Sequence, residues 1–276
     1  MEHADILRKI TIELSSARDE FKQIEPFSSR FKNFGIEDGY LVADSIHKMR
    51  MRNGESPIGR KIGFTNPDVC AVYGIDEPIW GYVYDSTVFY HTNKAVTYDL
   101  RQFTEPKIEP EIIVHFHSSP PVNADPAGLV KSIDWIAHGF EIVQSHFPHW
   151  KFQAADTVAD CGLHAMLIVG EPVPIDLLGS DPLSELESFT IALLCNDLEQ
   201  DRGSGSNALG SPLYAVLHLI KVLSKQPHLP SLQPGELVTT GTLTAALPVK
   251  NGQTWSTTLA GISLPGISVS FGEQLP

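Results

Sequence analysis

Lys107-Ile108-Glu109-Pro110-Glu111-Ile112-Ile113-Val114 is the stretch on which the reading of the whole chain turns. As a β-strand it sends successive side chains to opposite faces, so Glu109 and Glu111 project the same way, roughly 7 Å apart. Two carboxylates on one face either form the wet side of a strand or hold a cation, and oxygen ligands alone suit a hard ion such as Mg²⁺ or Mn²⁺. His115 and His117 continue the same parity and add a competing His-x-His zinc pair. A third carboxylate, Glu141, heads the run Phe140-Glu141-Ile142-Val143-Gln144-Ser145, read as another strand. A glutamate between apolar neighbours is costly to bury alone, and a metal supplies the missing partner.

Upstream, Pro57-Ile58-Gly59-Arg60-Lys61-Ile62-Gly63-Phe64-Thr65 reads as a strand with Lys61 standing between Gly59 and Gly63 on one face and Ile58, Arg60, Ile62 and Phe64 on the other. The missing side chains leave room for something to approach the ammonium; the other reading is a surface lysine on a thin strand. Asp76 sits in the turn-rich segment 73–81, where it caps a turn or faces a pocket. Further upstream, Ile6, Ile10, Leu14 and Phe21 mark one stripe of an amphipathic helix over 5–24, and a second helix runs from Ile36 to Arg52, stopped by Asn53-Gly54. Strands are expected near 81–90 and 94–98.

Downstream, Asp125-Pro126 has the form of a helix start, and Leu129, Val130, Ile133, Trp135 and Ile136 extend that helix to a stop before Gly139. Residues 149–160 fit a loop or a short helix. Strands are expected at 165–169, 188–195 and 197–200. The segment 202–207 reads as a flexible loop that lacks the glycine spacing and the Gly-Lys-Ser/Thr ending of a phosphate cradle. Ser211-Pro212 opens a helix to Lys225, and strands alternate with turns from Gly235 to Phe271. A body so rich in sheet points to a β-roll or sandwich-like core, not a doubly wound parallel sheet.

The 276 residues, 42% hydrophobic and 19% charged, suffice for a large core. A net charge of −13 disfavours nucleic acid, whose phosphates are recognised by Lys and Arg. The three cysteines, Cys70, Cys161 and Cys195, form no CxxC pair and imply neither a disulfide framework nor a cysteine zinc site, which fits a reducing compartment. The polar N-terminus does not read as a signal peptide and no apolar run is long enough for a membrane span, so the expected location is the cytoplasm.

Gly59-Arg60-Lys61-Ile62-Gly63-Phe64-Thr65, Gly74-Ile75-Asp76-Glu77-Pro78, Ile108-Glu109-Pro110-Glu111-Ile112, Phe140-Glu141-Ile142-Val143, Trp150 through Asp160, Leu209-Gly210-Ser211-Pro212-Leu213 and Thr240-Gly241-Thr242-Leu243-Thr244 occur in one order. Together, from about residue 25 to 271, they resemble the hydratase/decarboxylase branch of the fumarylacetoacetate hydrolase superfamily. The resemblance implies an α+β fold, with a helical N-terminal segment (1–56) and a catalytic domain built on a mixed β-roll (57–276). It implies one Mg²⁺ or Mn²⁺ held by Glu109, Glu111 and Glu141, with Lys61 and Asp76 catalytic and Asp156, Leu163 and Thr242 around the substrate. It also implies assembly as a homo-oligomer.

The activity so implied is that of a lyase acting on a small anionic unsaturated 2-oxo acid through a metal-stabilised enolate, with hydration of a 2-hydroxy-2,4-dienoate ahead of decarboxylation of a 4-oxalocrotonate-type acid. Two other readings stand beside it: C–C hydrolysis of an acylpyruvate, for which a water-activating pair is sought around His146 and His149, and a metal-binding partner subunit without turnover. Cys161-Gly162-Leu163-His164 departs from the Asn and small residues usual after Val158-Ala159-Asp160, as does the segment 82–86, and both changes point to a non-standard substrate. His164 itself reads as a core histidine in preference to an acid/base.

Overall fold

Two long antiparallel strands, paired residue for residue from Lys107 with Val143 to His115 with Trp135, run through the larger of two sheets. The computed structural model describes residues 3–73, 75, 77–91, 96–226 and 230–273. Helices α1 (His3–Asp19), α2 (Phe27–Arg30) and α3 (Ile36–Arg52) lead into β1 (Pro57–Gly63), α4 (Pro67–Tyr73), β2 (Ile79–Tyr84), β3 (Val88–Tyr90), β4 (Thr97–Tyr98) and β5 (Lys107–Phe116). Then follow α5 (Pro126–Val130), β6 (Ile133–Val143), α6 (Ala154–Ala159), β7 (His164–Val169), β8 (Val173–Pro174), α7 (Pro182–Ser188), β9 (Thr190–Cys195) and β10 (Leu198–Ser204). The chain closes with α8 (Pro212–Ser224), β11 (Leu237–Thr239), β12 (Leu247–Pro248), β13 (Thr254–Ala260) and β14 (Ser268–Phe271).

Among the described residues these strands form two mixed sheets. The larger has nine strands in the order β2-β1-β11-β5-β6-β7-β3, with β12 added to β5 and β8 to β6; the smaller runs β10-β9-β13-β14-β4. Most neighbours are antiparallel, but β1/β11, β3/β7 and β14/β4 are parallel. The expected α+β class with a mixed sheet core and N-terminal helices is what the structure has.

Local chemistry accounts for the helices. The Asp38 carboxylate accepts the Gly35 N–H at 3.2 Å to start α3, and Gly54, at φ +92°, takes the left-handed position that ends it. In α8, Leu213, Val216, Leu219, Ile220 and Leu223 fall on one buried face, each contributing about 1.5–3 kcal/mol of apolar burial. α1 stops at Asp19, short of the expected 24: Phe21 turns left-handed (φ +51°) and is exposed, so the packed stripe is Ile6, Ile10, Leu14 and Ala17.

Further expectations are corrected. The helix foreseen through Ile136 ends at Val130, and Ile133–Val143 is strand β6. Its two faces are both buried, Ile136, Phe140 and Ile142 on one and Ala137 on the other, and an apolar run without alternation mimics helical spacing. The supposed flexible loop at 202–207 is the end of β10 and a 3₁₀ turn (Gly205–Asn207). A Cβ on Gly203 or Gly205 would lie 1.8 Å from the carbonyl of Leu243 or Leu186, so these glycines serve close backbone packing. The strand foreseen at 81–90 breaks at Asp85–Thr87 into β2 and β3. Of that foreseen at 94–98, Thr97–Tyr98 form β4 and residues 94 and 95 lie outside the described residues.

The N-terminal helices share a core with the segment after β6: Ile10, Leu14, Phe27, Val42 and Ile46 pack with Phe147, Ala159 and Cys161. Polar ties reinforce it. Asp156 accepts from Ser28 N (3.0 Å), Ser28 Oγ (2.5 Å) and Gln153 N (2.9 Å), while Arg18 donates to Asp160 at 3.2 Å.

Candidate metal centre and active site

In the β5/β6 register Glu109 lies directly opposite Glu141 and Glu111 opposite Gly139. Glu111 and Glu141 are buried and Glu109 is partly buried. Each of the three offers an oxygen within 4.8 Å of the others, and this is the one such cluster of potential metal ligands among the described residues. Like charges directly across an antiparallel pair repel, so the register assembles a site that calls for a cation. β11 lies between β1 and β5, with Thr239 paired to both Lys61 and Ile113, and so delivers Lys61 to the same face.

Lys61 is buried, its Nζ donating to Gly162 O at 2.9 Å and standing 3.1 Å from Glu141 Oε2. Gly59, expected to leave space for a ligand, instead admits β11: its Cβ would lie 2.2 Å from the Leu237 carbonyl. The glycine that accommodates Lys61 is Gly162, where a Cβ would lie 2.7 Å from Lys61 Cδ. Cys161, Gly162 and Leu163 all have positive φ, a conformation costing roughly 1–2 kcal/mol at each non-glycine position and of the kind retained at functional sites.

Glu111 Oε2 accepts the Thr239 hydroxyl and, at 2.8 Å, the Gly241 N–H. Glu111 Oε1 and Glu141 Oε2 are buried without a hydrogen bond, the Lys61 ion pair lying off hydrogen-bond geometry. Glu141 Oε1 is 2.7 Å from His164 Nδ1. Burial raises Glu109 to about 7, with Lys61 opposing and Glu141 reinforcing. Burial, then the charges of Glu141 and Glu109, hold Glu111 well above the carboxylate range. Burial also works against Glu141, but Lys61 and His164 prevail and bring it to about 2. For Lys61, burial is outweighed by Glu141, Glu109 and Glu111, which keep the ammonium charged. Three clustered hard donors, two orphaned oxygens and two proton-retaining carboxyls fit a divalent metal of the Mg²⁺ type.

A proton-linked test follows. A carboxyl whose folded pKa is raised, as Glu109's is, adds stability below about 4.5 that is lost as pH rises through about 7. Metal must displace that proton. Mg²⁺ should therefore bind weakly at pH 5.5, tighten through pH 7 with proton release, and raise the thermal midpoint most above pH 7; calorimetry in two buffers and melting with and without Mg²⁺ check this. A pH-independent affinity contradicts the ligand assignment.

A cavity of about 30 Å³ lies over these residues, lined by Lys61, Glu109, Val143, Leu163 and Thr242 among others. It holds only a water or two. Asn66, Val69, Tyr73 and Ala246 also line an adjoining vestibule of about 280 Å³. Of the residues singled out from sequence, Lys61, Glu109, Leu163 and Thr242 line the cavity, and Glu111 and Glu141 are gathered with Glu109 beneath it. Asp156 is not in the lining: its carboxylate is spent on α6 and Ser28. Asp76 lies outside the described residues. His115 does not extend the acidic site, being held by Asp134 at 2.7 Å and stacked on Trp135, and His117 contacts Lys131 O at 3.0 Å. Nor do His146 and His149 line the cavity; His146 is held by Asp160 at 2.7 Å and His149 is exposed beside Glu105.

No protein-family model matches the chain. It is 28% identical over 253 residues to a 2-keto-4-pentenoate hydratase of Paraburkholderia xenovorans (strain LB400), covering 90% of this chain and 89% of that one. It is 27% identical over 258 residues to a 2-hydroxyhexa-2,4-dienoate hydratase of Comamonas testosteroni, covering 91% and 92%. Among solved structures, 4-oxalocrotonate decarboxylase from Pseudomonas putida G7, complexed with magnesium and adipate, superposes with a TM-score of 0.87 at 23% identity over 98% of each chain.

The chain is thus similar along nine-tenths of its length to dienoate hydratases and shares the fold of a 4-oxalocrotonate decarboxylase. A more distant fold match is fumarylpyruvate hydrolase from Pseudomonas aeruginosa in complex with Mn²⁺ and pyruvate, with a TM-score of 0.57 at 16% identity, covering 78% of this chain and 89% of that one. The position that sequence reasoning undervalued is His164. It stands beside a proposed ligand, and its significance depends on the pairing of β7 with β6, which no local pattern announces. Thr239 and Gly241, which hold Glu111, were overlooked for the same reason.

Proposed function

We propose that the protein is a Mg²⁺-dependent (or Mn²⁺-dependent) lyase that hydrates a 2-hydroxy-2,4-dienoate, a small anionic unsaturated 2-oxo acid in its enol form. The observation that carries this reading is the convergence of Glu109, Glu111 and Glu141 beside the buried ammonium of Lys61, in a chain similar along nine-tenths of its length to dienoate hydratases. Glu109, Glu111 and Glu141 would hold the cation. When bound, it supplies Lewis acidity toward the carboxylate and keto oxygens of a 2-oxo acid and stabilises negative charge on them.

The chain's own residues do the remaining work. Lys61, anchored by the Gly162 carbonyl, holds the substrate carboxylate or moves a proton at Nζ. Leu163 and Val143 give the slot apolar walls that exclude bulk water, and Thr242 is tied back by its hydroxyl to Thr244 O at 2.9 Å, fixing that wall. The slot takes only the reacting end, and the vestibule takes the rest of the acid. Asp76 is assigned to positioning water or a proton.

Decarboxylation of a 4-oxalocrotonate-type acid is the second reading, supported by the fold match to such a decarboxylase. Hydrolysis gains no support from His146 and His149, which are engaged elsewhere. The same reading carries the expectation of a cytoplasmic homo-oligomer: no disulfide joins the described cysteines, and Phe89 and Tyr90 stand exposed on edge strand β3; no helix among the described residues is long and apolar enough to cross a membrane. The 1–56 and 57–276 division is proposed as one of sequence, since the two parts share a core.

Purified protein with Mg²⁺ is to be given 2-hydroxypenta-2,4-dienoate, 4-oxalocrotonate and an acylpyruvate, with dienol absorbance and CO₂ followed. Loss of dienol without CO₂ is the expected result. CO₂ release selects decarboxylation, and silence on all three substrates overturns the proposal.

A further inference from the structure

His164 opens β7 and is buried, and both its ring nitrogens are engaged: Nδ1 lies 2.7 Å from Glu141 Oε1 and Nε2 lies 2.9 Å from Thr87 Oγ1. An ionised carboxylate only accepts, so the proton of the first contact belongs to Nδ1. On a neutral ring Nε2 accepts the single proton of the Thr87 hydroxyl, which then does not go to the Tyr84 carbonyl 3.0 Å away. The imidazole is thus gripped at both ends, and rotating it breaks both bonds.

The effect falls on Glu141. The last torsion of a glutamate is soft and nearly two-fold, so an untethered carboxylate would swing between its two oxygens. Here the oxygens are divided. Oε1 is taken by the imidazole, and Oε2 faces Lys61 with no hydrogen bond of its own. We propose that His164, locked by Thr87, is a positioning residue that holds Glu141 in the rotamer leaving Oε2 as the oxygen offered to the cation. This rests on the metal reading given above. Ligating carboxylates and their hydrogen-bond partners generally work in this way, and loss of such a partner costs about 10–100-fold in metal affinity.

The test is Mn²⁺ titration of the full chain by calorimetry and electron paramagnetic resonance, with the metal-free thermal midpoint recorded for each variant. His164→Ala should bind Mn²⁺ about 10–100-fold more weakly than wild type. His164→Asn places an amide nitrogen the same number of bonds from the backbone as Nδ1 and should recover most of that loss; His164→Gln, whose amide reaches toward the Nε2 position, should not. Thr87→Val should fall between wild type and His164→Ala. Should the alanine variant fail to fold, the Asn against Gln comparison carries the test, with Asn expected about tenfold tighter. Mn²⁺ binding by His164→Ala equal to wild type, or Asn no better than Gln, overturns the assignment. A wild-type chain that takes up no Mn²⁺ overturns the metal reading itself, and so is distinguishable from failure of the His164 proposal alone.

Discussion

Glu109→Gln should bind Mg²⁺ or Mn²⁺ more than about 100-fold more weakly than wild type, exceeding the loss expected for an outer partner, and should lose turnover on any substrate of the wild type. The substitution keeps volume and shape while replacing an anionic donor by a neutral amide. Its companion effect has the opposite sign. Because Glu109 stands directly across from Glu141, and burial and that neighbour raise it to about 7, removing its charge relieves repulsion in the metal-free protein above neutrality. The metal-free thermal midpoint at pH 8 should therefore be unchanged or raised even as metal no longer raises it further. Titration of metal, melting with and without it, and turnover check all three parts. Undiminished metal uptake and turnover in this variant would remove Glu109 from the ligand set.

Lys61→Met separates the ammonium's two duties. In the metal-free chain Lys61 is the cation buried among the three glutamates, and breaking a buried pair of this kind costs about 3–5 kcal/mol because the remaining charge is stranded. The variant should melt well below wild type without metal. Mg²⁺ should restore much of the difference, and should bind at least as tightly as to wild type, since no ammonium competes for Glu141. Turnover should still be lost. A variant that regains activity with saturating Mg²⁺ would show that Lys61 serves the fold and not the reaction.

The parts of the site that lay within one strand were legible beforehand. Glu109 and Glu111 share a face because side-chain direction repeats every two residues, and Lys61 was picked out by its flanking glycines, although Gly59 turned out to serve strand packing and Gly162 the lysine. What spans strands was not legible by pattern. That Glu141 faces Glu109 is a matter of register between β5 and β6, and only the resemblance supplied it. Ile133–Ile136 misled because a strand covered on both sides loses its alternation. Asp156 was placed around the substrate by the resemblance alone; its hydrogen bonds are those of a helix cap and a tether to Ser28. His164 was set down as core, and it is buried, but its ring nitrogens lead to Glu141 and to a threonine 77 residues earlier in the chain.

Ser28 with Asp156, and Arg18 with Asp160, join the leading helices to the very segment that continues into Gly162, whose carbonyl steadies Lys61. Anyone recombining relatives into chimaeras should therefore not treat residue 57 as a free crossover point. Residues 18, 28, 156 and 160 need to be inherited from one parent as a set, and a library that shuffles them independently should yield folded progeny with a misplaced ammonium.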